Sequence, residues 1–152
     1  MAKQIIKDSK ARKDAIVPPT TTTPLISNIS FNFKYLTKNK AHNFAYFNGD
    51  MRKSHDAYEA LVERMQALCC IDMNRAKQVG KIAGCEPIPY KALSSSMQMI
   101  CDGIEIISKD SSLSVFRFSQ NDYRLLCKTD LDHSNLLYVV GFDFDYSAYN
   151  HG

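Results

Sequence analysis

No stretch of this chain approaches the roughly 20 consecutive apolar residues that a membrane-spanning helix requires. Its longest apolar segments, such as residues 135–140, fall far short, so no membrane contact is expected. Residues 1–8 carry no apolar run of the kind a signal peptide has, which predicts a cytoplasmic protein. Cysteine is present without pattern: five residues, at 69, 70, 85, 101 and 127, with no Cys-x-x-Cys and no histidines at zinc-finger intervals. That argues against a zinc finger and fits a reduced compartment, with adjacent Cys69 and Cys70 read as packing residues at the end of an apolar helix. Gly-x-Gly-x-x-Gly, a Walker loop and Gly-x-Ser-x-Gly are also missing. Nothing therefore marks a nucleotide hydrolase or a serine hydrolase, and no cofactor is expected.

What is present is enough for one soluble globular domain: 152 residues, 45% of them hydrophobic and 11% aromatic. Charge is unevenly placed. Residues 1–40 hold eight Lys/Arg against two Asp, a balance of +6, whereas residues 41–152 hold eleven against fourteen Asp/Glu, a balance of −3. The front reads as a basic arm able to touch an acidic partner or nucleic acid, or simply as a solvated tail. Pro18-Pro19-Thr20-Thr21-Thr22-Thr23-Pro24 cannot continue a helix and forms an extended linker. This divides the chain into an arm and linker over 1–25 and a single α+β domain over 26–152.

Strict alternation at Ile29, Phe31, Phe33 and Tyr35 predicts a first strand over 29–35, paired in the same sheet as the C-terminal strands. Apolar residues at helical spacing from Tyr58 to Cys69 predict a helix over 54–70 with Ser54 as N-cap. Asp72 caps a second helix through 83, closed by a left-handed Gly84. Residues 86–89 are extended by their prolines, 94–100 form a short Met-rich helix, and 103–107 read as a strand. Segments 113–118, 123–130 and 135–145 then form a meander of three strands joined by tight turns. The order strand, helix, helix, antiparallel meander is an α+β plan, with helices covering one face of a sheet.

Arg117 lies between Phe116 and Phe118, so if the aromatics face the core its guanidinium projects from the other face. Arg124 follows the turn in the adjacent strand. Two such forks can clamp a phosphate; the plainer alternative is a salt bridge to Asp122, Asp130 or Glu105. Tyr146, Tyr149 and His151 could move protons or stack on bases. Asp130, Asp132, Asp143 and Asp145 lie near His133, but Asp130 and Asp132 occupy a turn where Asp is favoured on its own account, and no metal site is expected. His42 and His55 have no partners at ligand spacing and read as surface or supporting residues. Contact with nucleic acid is assigned to Lys3, Lys7, Lys10, Arg12 and Lys13 of the arm and to Tyr123 and Lys128 of the domain.

Phe116-Arg117-Phe118, Asn121-Asp122-Tyr123-Arg124-Leu125-Leu126, Leu137-Tyr138-Val139-Val140-Gly141 and Ala148-Tyr149 together resemble the RelE/ParE/HigB/YoeB superfamily of small toxins from bacterial toxin-antitoxin modules. The likeness is close over about forty residues and elsewhere extends to element order. It implies a RelE/ParE-like fold and a metal-independent endoribonuclease acting on messenger RNA, usually on the ribosome, with an antitoxin protein as partner. Arg117 and Arg124 would stabilise the phosphate charge, Tyr149 would stack or orient, and His151 would resemble the terminal acid of YoeB-like members. The chain departs from the family at Phe142-Asp143-Phe144-Asp145, where a basic residue is usual. The alternative is a non-enzymatic phage or mobile-element protein that binds and blocks a protein partner.

Overall fold

The computed structural model describes residues 27–151. The basic arm and linker, and with them Lys3, Lys7, Lys10, Arg12 and Lys13, lie outside the described residues. One five-stranded sheet organises the rest, in the order β1-β5-β4-β3-β2. β1 (Ser30–Asn32) runs parallel to β5 (Leu136–Asp143), while β2 (Cys85–Pro89), β3 (Ser112–Phe118), β4 (Tyr123–Thr129) and β5 are successively antiparallel. The first strand thus joins the same sheet as the meander, as its apolar residues predict, but over three residues rather than seven. Beyond it the open edge of β5 is taken over by the following segment. Thr37 N–H donates to the Val140 carbonyl at 3.0 Å and His42 Nδ1 to the Phe142 carbonyl at 2.9 Å. His42 is therefore buried and structural, not a surface residue. Burying that carbonyl without a partner would cost about 1–3 kcal/mol.

The helices are α1 (Met51–Leu68), α2 (Met73–Gln78), α3 (Gly80–Ala83) and α4 (Ser95–Asp102). α1 starts a turn before the expected Ser54, because Asp50 accepts from Lys53 N–H at 3.0 Å and is the cap. Asp72 caps α2 as expected, through Arg75 N–H at 2.8 Å. The expected second helix is broken at Gly80, whose φ of +80° suits glycine, and the left-handed residue is this one rather than Gly84. Gly84 is needed for a different reason: a Cβ there would meet the Ala76 carbonyl oxygen at 1.9 Å. The proline segment 85–89 proves to be edge strand β2, where Pro87 and Pro89 are tolerated. Residues 103–107 are not a strand. Gly103, Ile104 and Ile107 N–H donate to Ile100, Cys101 and Ile104 carbonyls in successive turns that continue from α4.

Both faces of the sheet are covered, which corrects the one-sided plan. On one face α1 and α2 bury Leu61, Leu68 and Met73 against Phe116, Leu125 and Phe142. On the other, α4 buries Met97 and Cys101 against Leu113, Val115, Leu126 and Val140. A bulge between Leu126 and Cys127 of β4 and their β5 partners shifts the alternation of β5 by one residue. Counting in twos from Val139 would send Asp143 into the α1 core. With the bulge Phe142 goes there, opposite Leu125, and Asp143 faces the other way, opposite Arg124.

Candidate functional site

Strand register builds the site. Arg117 of β3 stands directly opposite Arg124 of β4, and Arg124 directly opposite Asp143 of β5, so the three side chains form a row on one face at the turn end of the sheet. Phe116 and Phe118 face the α1 core, which leaves Arg117 on the opposite side, as expected. Its Nη2 pairs with Glu86 Oε2 at 3.3 Å, a partner on the edge strand that the local sequence did not suggest. Arg124 is only 4% exposed. Its Nη1 donates to the Asn121 carbonyl at 2.5 Å and the Tyr123 carbonyl at 3.3 Å, and its guanidinium lies over the Tyr146 ring at 5.1 Å. No carboxylate of the described residues pairs with it within 4.0 Å.

The segment after β5 closes over this row. Ser147 N–H donates to Asp143 Oδ1 at 3.0 Å and to Asp145 Oδ1 at 3.2 Å, turning the chain back. Ser94 N–H then donates to the Ala148 carbonyl at 2.8 Å, and Asn150 N–H to the Ala92 carbonyl at 3.0 Å, with Leu93 and Tyr149 bridged. Stitched down in this way, His151 places Nε2 3.1 Å from Asp143 Oδ2. Its ring lies 4.0 Å from Tyr149 at 32° and meets Tyr146 edge-on at 4.9 Å. The Asp143 carboxylate is wholly buried. With Nε2–H donating to it, the imidazole is fixed in one orientation and Nδ1 is left to exchange a proton. Burial pushes the Tyr149 phenol up from its ordinary value, while the Arg124 guanidinium pulls it the other way. The Tyr149 hydroxyl, Arg117 Nε and Arg124 Nε are all buried with no hydrogen-bond partner.

Four residues chosen from sequence, Arg117, Arg124, Tyr149 and His151, thus lie in one corner. They are not equally accessible. The side chains of Arg117 and His151 are 18% and 23% exposed and reach the surface; Arg124, Asp143 and Tyr149 stand behind them. Tyr123 is not in the corner. It faces the opposite side, packed among Phe47, Phe118 and Phe144. Lys128 lies four residues along β4 from Arg124, opposite Tyr138, roughly 13 Å away at the rise of a strand. Glu105, a proposed partner for arginine, instead bonds Lys34 at 3.5 Å and the Tyr35 hydroxyl at 2.7 Å. Asp130 is turn chemistry, accepting from Asp132 and His133 N–H at 3.0 Å each.

Sequence reading missed Asp143 as a partner of His151 and Glu86 as a partner of Arg117. The Asp143 signal is visible only once the bulge is known, because simple alternation assigns that residue to the wrong face. His55 is a surface residue, as expected, but it does have neighbours at ligand spacing: with Asp56 and Glu59 it forms the one group of three ligand-type side chains among the described residues whose donor atoms lie within 4.8 Å of one another, all three exposed. No helix of the described residues is long and apolar enough to cross a membrane.

Compared with known proteins, the chain matches no family model, no curated protein and no solved structure. Its functional reading rests on the residues of the corner.

Proposed function

We propose that this protein is a toxin-like member of a toxin-antitoxin or phage-defence module, acting as a metal-independent endoribonuclease on messenger RNA. The observation that carries the reading is the meeting of two arginines with a histidine held by a buried carboxylate, Asp143 Oδ2 to His151 Nε2 at 3.1 Å. In the reaction the 2′-oxygen of a ribose attacks the adjacent phosphorus, forming the P–O2′ bond and breaking the P–O5′ bond. His151 delivers a proton to the departing 5′-oxygen. We assign the 2′-proton to Glu86, the carboxylate paired with Arg117 at 3.3 Å. Arg117 meets the charge that grows on the phosphoryl oxygens, and Arg124 sets the potential behind it. Asp143 and Tyr149 hold the imidazole in place.

A second reading is favoured by one specific observation: Arg124, Asp143 and Tyr149 are buried almost completely, as a clasp holding the last residues to the sheet would be. On this reading the protein is a non-enzymatic interaction protein that occupies and blocks a protein partner. Controlled expression separates the two. Growth arrest by the wild type, relieved by the product of a neighbouring antitoxin gene and abolished by Arg117→Ala and His151→Ala, is the result the nuclease reading requires. Harmless expression of a folded wild type would leave the second reading.

A further inference from the structure

β2 ends its pairing with β3 at Cys85 opposite Phe116, so the next residues of β3 have no neighbour on that edge. A groove of about 490 Å3 opens there, between the second half of α1, α3 and the β3–β4 turn. Glu63 and Arg64 of α1, Ile82 of α3, and Arg117, Gln120 and Asn121 line it. Arg117, whose side chain leaves the sheet on the face away from α1, borders the groove at the unpaired edge of β3 and is shared with the candidate site.

Two features set this groove apart. The first is a pair of anchored cations. Arg64 donates through Nη2 to the Ala83 carbonyl at 2.5 Å and the Gly84 carbonyl at 3.4 Å, and Arg117 donates through Nη2 to Glu86. In both the Nε–H is buried without a partner. Each guanidinium is thus fixed through Nη2, and its Nη1, which makes no hydrogen bond among the described residues, is the edge that can meet an anion at a lowered ordering cost. The second is the rim. Ser119, Gln120 and Asn121 have φ of 51°, 54° and 71°, three successive non-glycine residues in the left-handed region. Such residues cost of order 1–3 kcal/mol each and persist where the surroundings hold them. Here Asp122 N–H closes the turn on the Ser119 carbonyl, and Arg124 ties down the Asn121 carbonyl.

We propose that this groove is a phosphate-binding track for single-stranded RNA, in which Arg64 and Arg117 hold successive backbone phosphates and lead the strand to the corner. It rests on the nuclease reading for its direction, since Arg117 is the point where track and corner join. Glu63, exposed beside Arg64, limits the affinity of the track.

Binding of a fluorescein-labelled single-stranded 12-mer RNA to the full chain carrying His151→Ala, followed by anisotropy between 50 and 200 mM salt, tests this. Glu63→Lys should tighten binding and steepen the slope of log K against log salt by about 0.7 for one added phosphate contact. Arg64→Ala should weaken binding and flatten the slope by about the same amount, across RNA sequences alike. Because Arg64 also braces the Ala83 and Gly84 carbonyls, Glu63→Lys on the open helix surface is the variant that leaves the fold alone. If both variants keep wild-type affinity and slope while Arg117→Ala weakens binding, the track is overturned and the corner reading stands. A His151→Ala protein that binds no RNA overturns it as well. Shifts in both groove variants alongside a wild type that cleaves nothing would keep the track and remove the nuclease.

Discussion

Arg117 and Arg124 look interchangeable in the sequence, and replacing either by Ala would be expected to spare the fold. Their surroundings predict otherwise. Arg117 makes one ion pair, to Glu86, between side chains 18% and 23% exposed. Exposed pairs are worth about 0–1 kcal/mol, and partial burial keeps Arg117→Ala near about 1 kcal/mol. Arg124 is 4% exposed and makes two hydrogen bonds to turn carbonyls and a stacked contact with Tyr146. Hydrogen bonds from a charged donor contribute about 1.5–3 kcal/mol each, and a desolvated cation–π contact up to about 2 kcal/mol. Relief from burying the cation offsets part of this. A net loss of about 3 kcal/mol for Arg124→Ala follows from these magnitudes, and at about 2–4 °C per kcal/mol for a chain of this size it lowers Tm by about 6–12 °C. Arg117→Ala should lower it by about 2–4 °C on the same scale. Thermal melts followed by circular dichroism, with urea midpoints as a check, measure both. Equal and small shifts for the two variants would refute the assignment of Arg124 as the brace of the β3–β4 turn.

Tyr149→Phe removes a buried hydroxyl that makes no well-aligned hydrogen bond and interacts only loosely with the Arg124 guanidinium, so its urea midpoint should stay close to that of the wild type; a loss above about 1 kcal/mol would show that the contact with Arg124 is a full hydrogen bond. Gly84→Ala drives a Cβ to 1.9 Å from the Ala76 carbonyl oxygen and should unfold the α3 region or cost on the order of 3 kcal/mol or more, lowering Tm by at least about 6–12 °C; a wild-type melt would disprove the close packing of α2 on that glycine. The Tyr90 phenol is pushed up to about 12, first by its hydrogen bond to Asp102. A raised folded value means that the unfolded chain loses its proton first, so this contribution is whole below about pH 10 and is lost as pH rises toward 12. Urea midpoints between pH 9 and 11 should fall less steeply in Tyr90→Phe than in the wild type, and identical slopes would count against the bond.

Local rules carried much of the fold. The meander came from short apolar runs bounded by turn residues, and Asp72 was legible as a cap because it needs only its own neighbours. Errors arose where a distant contact decided. Apolar Ile104, Ile106 and Ile107 look like a strand, yet they continue the turns after α4 because the second core lies beneath them. Gly84 does close a helix, as its type suggested, but not in the left-handed conformation, and its lack of a side chain also lets α2 approach. The site was legible in its residue types and not in its geometry. Arg117 and Arg124 straddle a turn and could be paired by inspection, but the Glu86 partner lies 31 positions away and the facing of Asp143 depends on a bulge. A sheet carrying more acid than base over residues 113–152 reads from composition as hostile to RNA. In the fold three of those acids, Asp130, Asp143 and Asp145, accept hydrogen bonds from His151 or from backbone amides.

Cleavage of messenger RNA by the purified full chain in EDTA, with and without ribosomes, bears most directly on the claim that the corner is a metal-independent nuclease. The wild type should cut under both chelated and unchelated conditions. Arg117→Ala, with its melt nearly intact, should be slower by about 10²–10³-fold, the usual cost of removing one preorganised donor to a developing anion. His151→Ala should lose cleavage while keeping its fold. An intact wild-type protein that cuts no RNA with ribosomes present, or one that cuts as well without His151 as with it, would contradict the account.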